Sequence, residues 1–312
     1  MIRTEQDITP AVLAELNRAQ DLRFKTIMAL AIQHLHAFVR EAQLTEQEFY
    51  AACGTIAKLG QATTASHNEV VLMAGSLGVS ALVCLLNNQV DGQATTANLL
   101  GPFWRMNSPA TANGDSIVRS ATVGVPLFMK IVVNDAAGLP VVGALVDVWN
   151  TSAEGFYENQ DPAQTDMNLR GQFTTNDQGC IWFDTIKPSG YPVPVNGVVG
   201  DWLRAQGRHN MRPAHVHFLI AKNGYKTQFA QVYDAADGNL ETDSQFGVTE
   251  PLVAHFIKHT NEIAPNGAAL PEWYSVAHTL VILPGISTLP RAPITGKSGA
   301  PRPKQVILQR SA

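Results

Sequence analysis

The hydrophobic period of this chain changes at about Asn98, so its fold has to accommodate two kinds of segment. Before that point apolar residues recur at helical spacing. Thr9 and Pro10 read as the N-cap and first position of a helix over AVLAELNRAQ. From Asp21 onward, Leu22, Ile27, Leu30, Leu35, Phe38 and Val39 follow a second helical stripe. Thr45 and Glu48 form a capping box ahead of a Phe49, Cys53, Ile56 stripe. The run from Val70 to Leu86 reads as a fourth helix, apolar nearly all round, which requires cover from the other half of the chain or from a twin subunit.

Beyond Asn98 the apolar runs shorten to PLFMKIVV, GALVDVWN, GCIWF, HVHFLIA and KQVILQR. Turn clusters separate them: NDAAGLP, TNDQG, KPSG, AKNG and DAADG. Many short strands punctuated in this way predict an antiparallel sandwich or barrel. The expected fold class is α+β, with a helical segment over 1–98 and an antiparallel β-sandwich over 99–312.

Composition narrows the functions open to such a fold. A net charge of −4 and a pI near 6.1 supply no basic field for nucleic acid or an anionic membrane, which leaves a small-molecule partner. Cys53, Cys84 and Cys180 are too scattered for a disulfide framework and read as reduced, buried thiols of a cytoplasmic protein. The start, MIRTEQDITP, lacks the apolar stretch of a secretory signal. Gly75, Ser76, Gly78 and Ser80 interrupt the Val70–Leu86 run, so a buried helix is expected there and no membrane span. There is no Gly-rich phosphate loop, no G-x-S-x-G elbow and no internal repeat.

The chemistry gathers around RHNMRPAHVHFLIAKNGY. On a strand, His215 and His217 point to one face and Val216 to the other. Two readings fit: a pair of core histidines satisfied by carbonyls, or two ligands to one metal. Tyr157 sits at a strand exit in WNTSAEGFYENQ, and Tyr191 in the Gly- and Pro-bound loop IKPSGYPVP. Taken singly, each is an edge-packed ring. Together with the histidines they make an N₂O₂ donor set, which suits ferric iron, because a phenol needs a strong Lewis acid to stay ionised at neutral pH. The nearby carboxylates Glu158, Asp161 and Asp184 are expected in turn-like, solvent-facing positions.

LLGPFWR, VDVWNTSAEGFY, IKPSGYPVP, GRHNMRPAHVHFLIA and Gln231 in FAQVYD, in that order and spacing, resemble the intradiol ring-cleavage dioxygenases. The resemblance implies one Fe(III) per subunit, held by Tyr157 and His215 in the equatorial plane and by Tyr191 and His217 axially. It also implies that Tyr191 takes a substrate proton, that Arg212 stabilises charge on the ring, and that Gln231 lies near the substrate. For Arg212 the plain reading is a surface salt bridge, and for Gln231 a strand amide. Leu72, Gly75, Leu99, Leu100, Gly101, Pro102, Phe103 and Arg212 would line the ring pocket. A homodimer through the N-terminal helices, with lipid in an apolar channel between copies, is implied in the same way.

The reaction implied inserts both atoms of O₂ into a catechol without an external reductant. GFYENQ, GYPVPVNGVVGDWL and DSQFGV resemble the branch that converts benzene-1,2,4-triol (hydroxyquinol) to maleylacetate. Gly75 departs from that branch, which carries an acidic residue there. Catechol or a substituted catechol, opened to a cis,cis-muconate, is therefore the alternative substrate. A His-x-His metallohydrolase would need a water-activating carboxylate that RPAHVHF lacks, and a binding module would use the histidines structurally.

Overall fold

The structure, a computed structural model, describes residues 1–64, 67–88, 95–299 and 301–311. Helices α1 (Ile8–Leu16), α2 (Leu22–Glu41), α3 (Glu46–Ala62), α4 (Glu69–Ser76) and α5 (Val79–Asn88) precede the strands. Asp21 caps α2 by accepting from the N–H groups of Arg23 and Phe24 at 2.8 and 3.0 Å. The bonds satisfy donors that a helix start leaves open. The capping box before α3 forms as expected, with Glu48 N donating to Thr45 Oγ1 at 3.3 Å and Thr45 N to Glu48 Oε2 at 2.9 Å.

Two helical expectations are corrected. α1 begins at Ile8 behind a 3-10 turn at Glu5–Asp7, so Thr9 and Pro10 lie within its first turn. Proline is tolerated there because first-turn N–H groups have no intrahelical partner. The run from Val70 to Leu86 is two helices, α4 and α5, bent by 74° at their junction. Gly78 makes the bend with φ +73°, a conformation that glycine enters at little cost. Among the described residues, no single helix is long and apolar enough to cross a membrane; only the bent pair passes that test jointly.

The chain resolves into two compact units, Met1–Lys58 and Leu59–Ala312. In the first, α1 packs on α2, and Arg40 of α2 donates to Thr9 Oγ1 at 2.8 Å. Leu22, Phe24, Leu30, Leu35, Phe38 and Tyr50 are exposed, so this unit closes no core over its apolar stripes. Cys53 is exposed rather than buried, because its stripe faces outward; Cys84 is half-buried, Cys180 is buried, and all are free thiols.

The second unit adds helix α6 (Val198–Ala205) and strands β1 (Pro126–Asp135), β2 (Leu145–Asn150), β3 (Arg170–Thr174), β4 (Cys180–Ile186), β5 (Tyr191–Pro192), β6 (Met211–Arg212), β7 (His215–Ala221), β8 (Gln228–Asp234), β9 (Val253–Ala254), β10 (Ile257–Ile263) and β11 (Ala269–Ile282). They form sheets of order β10-β11-β1-β4 and β3-β2-β7-β8-β9, plus a β5-β6 pair. Ladders are antiparallel except β1 with β11 and β8 with β9, so the sandwich is mixed rather than wholly antiparallel. KQVILQR forms no strand. Its backbone is held by the side chain of Asn210, which donates to Val306 O at 2.9 Å and accepts from Leu308 N at 2.9 Å.

Both large sheets bury one face in a common core that includes Met129, Ile131, Val146, Val148, Phe183, Val216, Phe218 and Ile220. Each such side chain contributes roughly 1.5–3 kcal/mol of burial. Period-two geometry then decides where the histidines go. With Val216, Phe218 and Ile220 turned into the sandwich, His215 and His217 emerge on the opposite face of β7. A second apolar cluster, containing Leu72, Phe103, Trp104, Trp149, Tyr157, Tyr191 and Leu219, covers that face.

Candidate functional site

The four sequence-predicted ligands converge on the covered face of β7. Tyr157 follows the exit of β2 and is wholly buried. Tyr191 opens β5 and is paired across that short ladder with Arg212. Tyr157 Oη lies 2.8 Å from His217 Nε2 and 3.3 Å from Tyr191 Oη, and the two Nε2 atoms are 3.1 Å apart. His215 Nδ1 must be the protonated nitrogen, because it lies 2.7 Å from Pro213 O, a carbonyl that can only accept. The His215 lone pair is therefore aimed at the centre of the group.

Electrostatics leave the two imidazoles as neutral nitrogen donors. Burial, then the charge of Arg212, holds the His215 imidazole down to about 3. Burial, then His215 and Arg212, holds His217 well below its ordinary value, so both rings are neutral donors at neutral pH. Burial, then the neighbouring Tyr191 phenol, pushes Tyr157 well above its usual value, so only a strong cation can keep it ionised. Neighbouring ligands held at about 2.0–2.2 Å from one metal stand roughly 2.8–3.5 Å apart, which the observed spacings match. The donor set fits a metal ion. Among the described residues, no group of three His, Cys, Asp or Glu side chains could hold one, so the phenols are needed to complete the set.

Carboxylates stay out of the centre for a reason other than the expected one. Glu158 and Asp161 are buried, not solvent-facing, and each is engaged by arginine. Glu158 accepts from Arg105 at 2.7 Å and Arg170 at 2.6 Å, while Asp161 is bound by Arg302. Asp184 is half-buried on β4.

Arg212 is buried, not at the surface. It donates from Nε and Nη2 to the two oxygens of Asp243 at 3.0 Å each, and from Nη2 to Gln231 Oε1 at 2.8 Å and Tyr233 Oη at 3.0 Å. None of these bonds uses Nη1. Burial opposes its charge, yet the Asp243 carboxylate holds the guanidinium well above its ordinary value. Gln231 is fully buried and does not reach the cavity; its Nε2 donates to Leu99 O at 2.7 Å. Asp243, Tyr233 and the Arg105–Glu158–Arg170 cluster join the site beyond the residues that the sequence predicts. Asp243 in DSQFGV, Tyr233 in FAQVYD, Glu158 in GFYENQ and Arg105 in LLGPFWR lie within motifs that carry the resemblance, whereas Arg170 lies in none of them.

A cavity of about 860 Å³ opens against this group. Leu72, Gly75, Leu99, Leu100, Gly101, Pro102, Phe103 and Arg212, all eight predicted pocket residues, line it together with Tyr191.

Residues 99–273 match the family described as Dioxygenase, and residues 21–95 the one described as Catechol dioxygenase N terminus. The chain is 35% identical to hydroxyquinol 1,2-dioxygenase of Rhizobium sp. over 89% of its own length and 95% of the relative's. The chain belongs to the intradiol ring-cleavage dioxygenases. The resemblance read from its motifs and the α+β fold are both borne out. Another intradiol dioxygenase relative, catechol 1,2-dioxygenase of Candida albicans, is 35% identical over 82% of this chain and 86% of the relative's. The solved structure of hydroxyquinol 1,2-dioxygenase from Pseudomonas putida DLL-E4 superposes with a TM-score of 0.82 at 34% identity, covering 90% of this chain and 99% of that one.

Proposed function

We propose that this intradiol dioxygenase holds one ferric ion per subunit on Tyr157, Tyr191, His215 and His217. Its substrate is hydroxyquinol, opened between the adjacent hydroxyl-bearing carbons to give maleylacetate. The observation that carries this reading is the convergence of two phenols and two neutral imidazoles, of which Tyr191 alone also lines the cavity, beside Arg212. When bound, ferric iron supplies the Lewis acidity that ionises the phenols and the diol, and it accepts charge from the ring so that O₂ can react. The rest is done by side chains. Tyr191 Oη takes a proton from a substrate hydroxyl, a role suited to the donor that borders both the metal centre and the substrate. Arg212, charged at all working pH, stabilises negative charge developing on the ring. Gln231 acts through others, fixing Arg212 on one side and the Leu99 carbonyl on the other. Both atoms of O₂ enter the product and the ring supplies the electrons, so no reductant takes part.

Catechol or a substituted catechol is a second reading, favoured by Gly75, which offers no carboxylate to a third hydroxyl. Oxygen uptake with product identification separates them. Maleylacetate from the triol at the higher kcat/KM supports the first, and a muconate from catechol at the higher kcat/KM replaces it with the second. The exposed stripe of Leu22, Phe24, Leu30, Leu35 and Phe38 supports assembly as a homodimer through the first helices. Sedimentation at micromolar concentration tests that.

A further inference from the structure

Gly75 and Gln245 occupy one volume. A Cβ built on Gly75 would stand 2.0 Å from Gln245 Oε1, so the amide fills the place where any other residue at 75 would put its side chain. Gln245 comes from the loop after β8 and lines the cavity together with Gly75 and Arg212. Its amide orientation is settled chemically. Nε2 lies 2.9 Å from Ser76 Oγ and 3.2 Å from Ser244 O, and a carbonyl requires a donor. Oε1 is then left as the acceptor, with no hydrogen bond from the described residues and without being sealed from solvent. The backbone fixes its distance from Arg212, because Gln245 N donates at 3.1 Å to the same Asp243 carboxylate that grips the guanidinium.

We propose that Gln245 is the specificity-determining residue of this pocket, its Oε1 accepting a hydrogen bond from a third ring hydroxyl and so favouring the triol over the diol. The inference rests on the dioxygenase reading above and deepens it. A neutral amide can do what a carboxylate at position 75 would do, with one electrostatic difference. The substrate becomes a dianion on binding, and a carboxylate beside it would repel that charge in a site of low dielectric, whereas an amide dipole does not. A chloro or methyl substituent has no polar hydrogen to donate, and it would leave the Gln245 oxygen covered and unpaired.

The test compares kcat/KM for hydroxyquinol and catechol, by oxygen uptake, in wild type, Gln245→Met and Gln245→Glu. Methionine keeps the volume without the acceptor, and the triol-to-catechol ratio should fall about tenfold, the effect of one neutral hydrogen bond together with its unpaired partner. Glutamate keeps an acceptor oxygen and should retain the preference for the triol. If the methionine variant does not fold, Gly75→Ala displaces the same oxygen and should lower the ratio as well. A ratio that is the same in wild type and Gln245→Met, with both rings opened, overturns the inference and leaves the dioxygenase reading intact. Wild-type protein that opens neither ring overturns both.

Discussion

Trp149 lies flat against His217, with ring centroids 4.6 Å apart and planes 10° from parallel. The two residues face each other across the β2–β7 ladder, so sheet register itself creates the stack. His217 Nδ1 is buried without a hydrogen-bond partner among the described residues, whereas His215 is oriented by Pro213 O. One imidazole is thus aimed by a hydrogen bond and the other by an aromatic surface. Trp149→Leu should weaken iron binding by about 10- to 100-fold, the usual range when the orientation of a ligand is lost. Trp149→Phe, which keeps a flat ring, should lose much less. Iron titration followed by absorbance measures both. Equal affinities in the two variants would show that the stack does not aim His217.

The two phenols should respond differently to removal of their hydroxyls. Tyr157 is enclosed and touches His217, while Tyr191 borders the cavity. Tyr157→Phe is expected to abolish iron retention and, with it, the red tyrosinate-to-ferric absorption. Tyr191→Phe should retain iron with a shifted absorption, and its kcat should fall about 10²- to 10⁴-fold, as when a general base is lost. Iron per subunit, the visible spectrum and turnover separate these outcomes. Wild-type turnover in Tyr191→Phe would end its assignment as the base.

Asp243 should carry the acid sensitivity of the Arg212 side of the site. Burial raises its pKa, but the Arg212 charge and the N–H groups of Gln245 and Gly247 outweigh that and hold the carboxyl below its ordinary value. A carboxyl with a depressed folded-state pKa contributes stability that is present above the unfolded value, about 3.9, and is lost as pH falls below it. Asp243→Asn leaves the buried guanidinium without its counter-charge and should cost about 3 kcal/mol at neutral pH. Because the wild type loses this contribution in acid and the variant never has it, the gap between them should narrow towards pH 3. Guanidinium unfolding midpoints at about pH 7 and pH 3 measure it. A gap that widens in acid would reverse the sign argued here.

The β half was legible because its physics is local: alternation sends Val216, Phe218 and Ile220 inward and therefore His215 and His217 outward. The four donors and six of the eight pocket residues sit in the short motifs that carry the resemblance, while Leu72 and Gly75 lie in the apolar run, and the structure brings all of them together. What stayed hidden depends on contacts distant along the chain. Nothing near Glu158 in sequence announces Arg105, 53 positions away, so from sequence a buried ion pair reads as a solvent-facing carboxylate. Nothing near Gly75 announces Gln245. Gly78 marks an interruption of the apolar run, but residue type alone does not say that its backbone turns left-handed, and KQVILQR has the composition of a strand but pairs with no strand among the described residues.

Gly54 and Gly78 should answer the same substitution with opposite signs. Gly54 lies within α3 with nothing within 4 Å of a built Cβ, so Gly54→Ala should stabilise by roughly 0.5–1 kcal/mol through the smaller entropy loss of alanine in a helix. Gly78 has φ +73°, and its Cβ would meet Phe246 at an ordinary 3.5 Å, so sterics leave room and the cost of Gly78→Ala is conformational. Holding an alanine in that left-handed state should cost roughly 1–2 kcal/mol. Because Gly78 sets the angle between α4, which carries Leu72 and Gly75, and α5, its alanine variant should also raise KM for the aromatic substrate. Chemical unfolding of each variant reads the sign directly. Stabilisation by both alanines would mean that the 74° bend belongs to the packing around it rather than to the glycine.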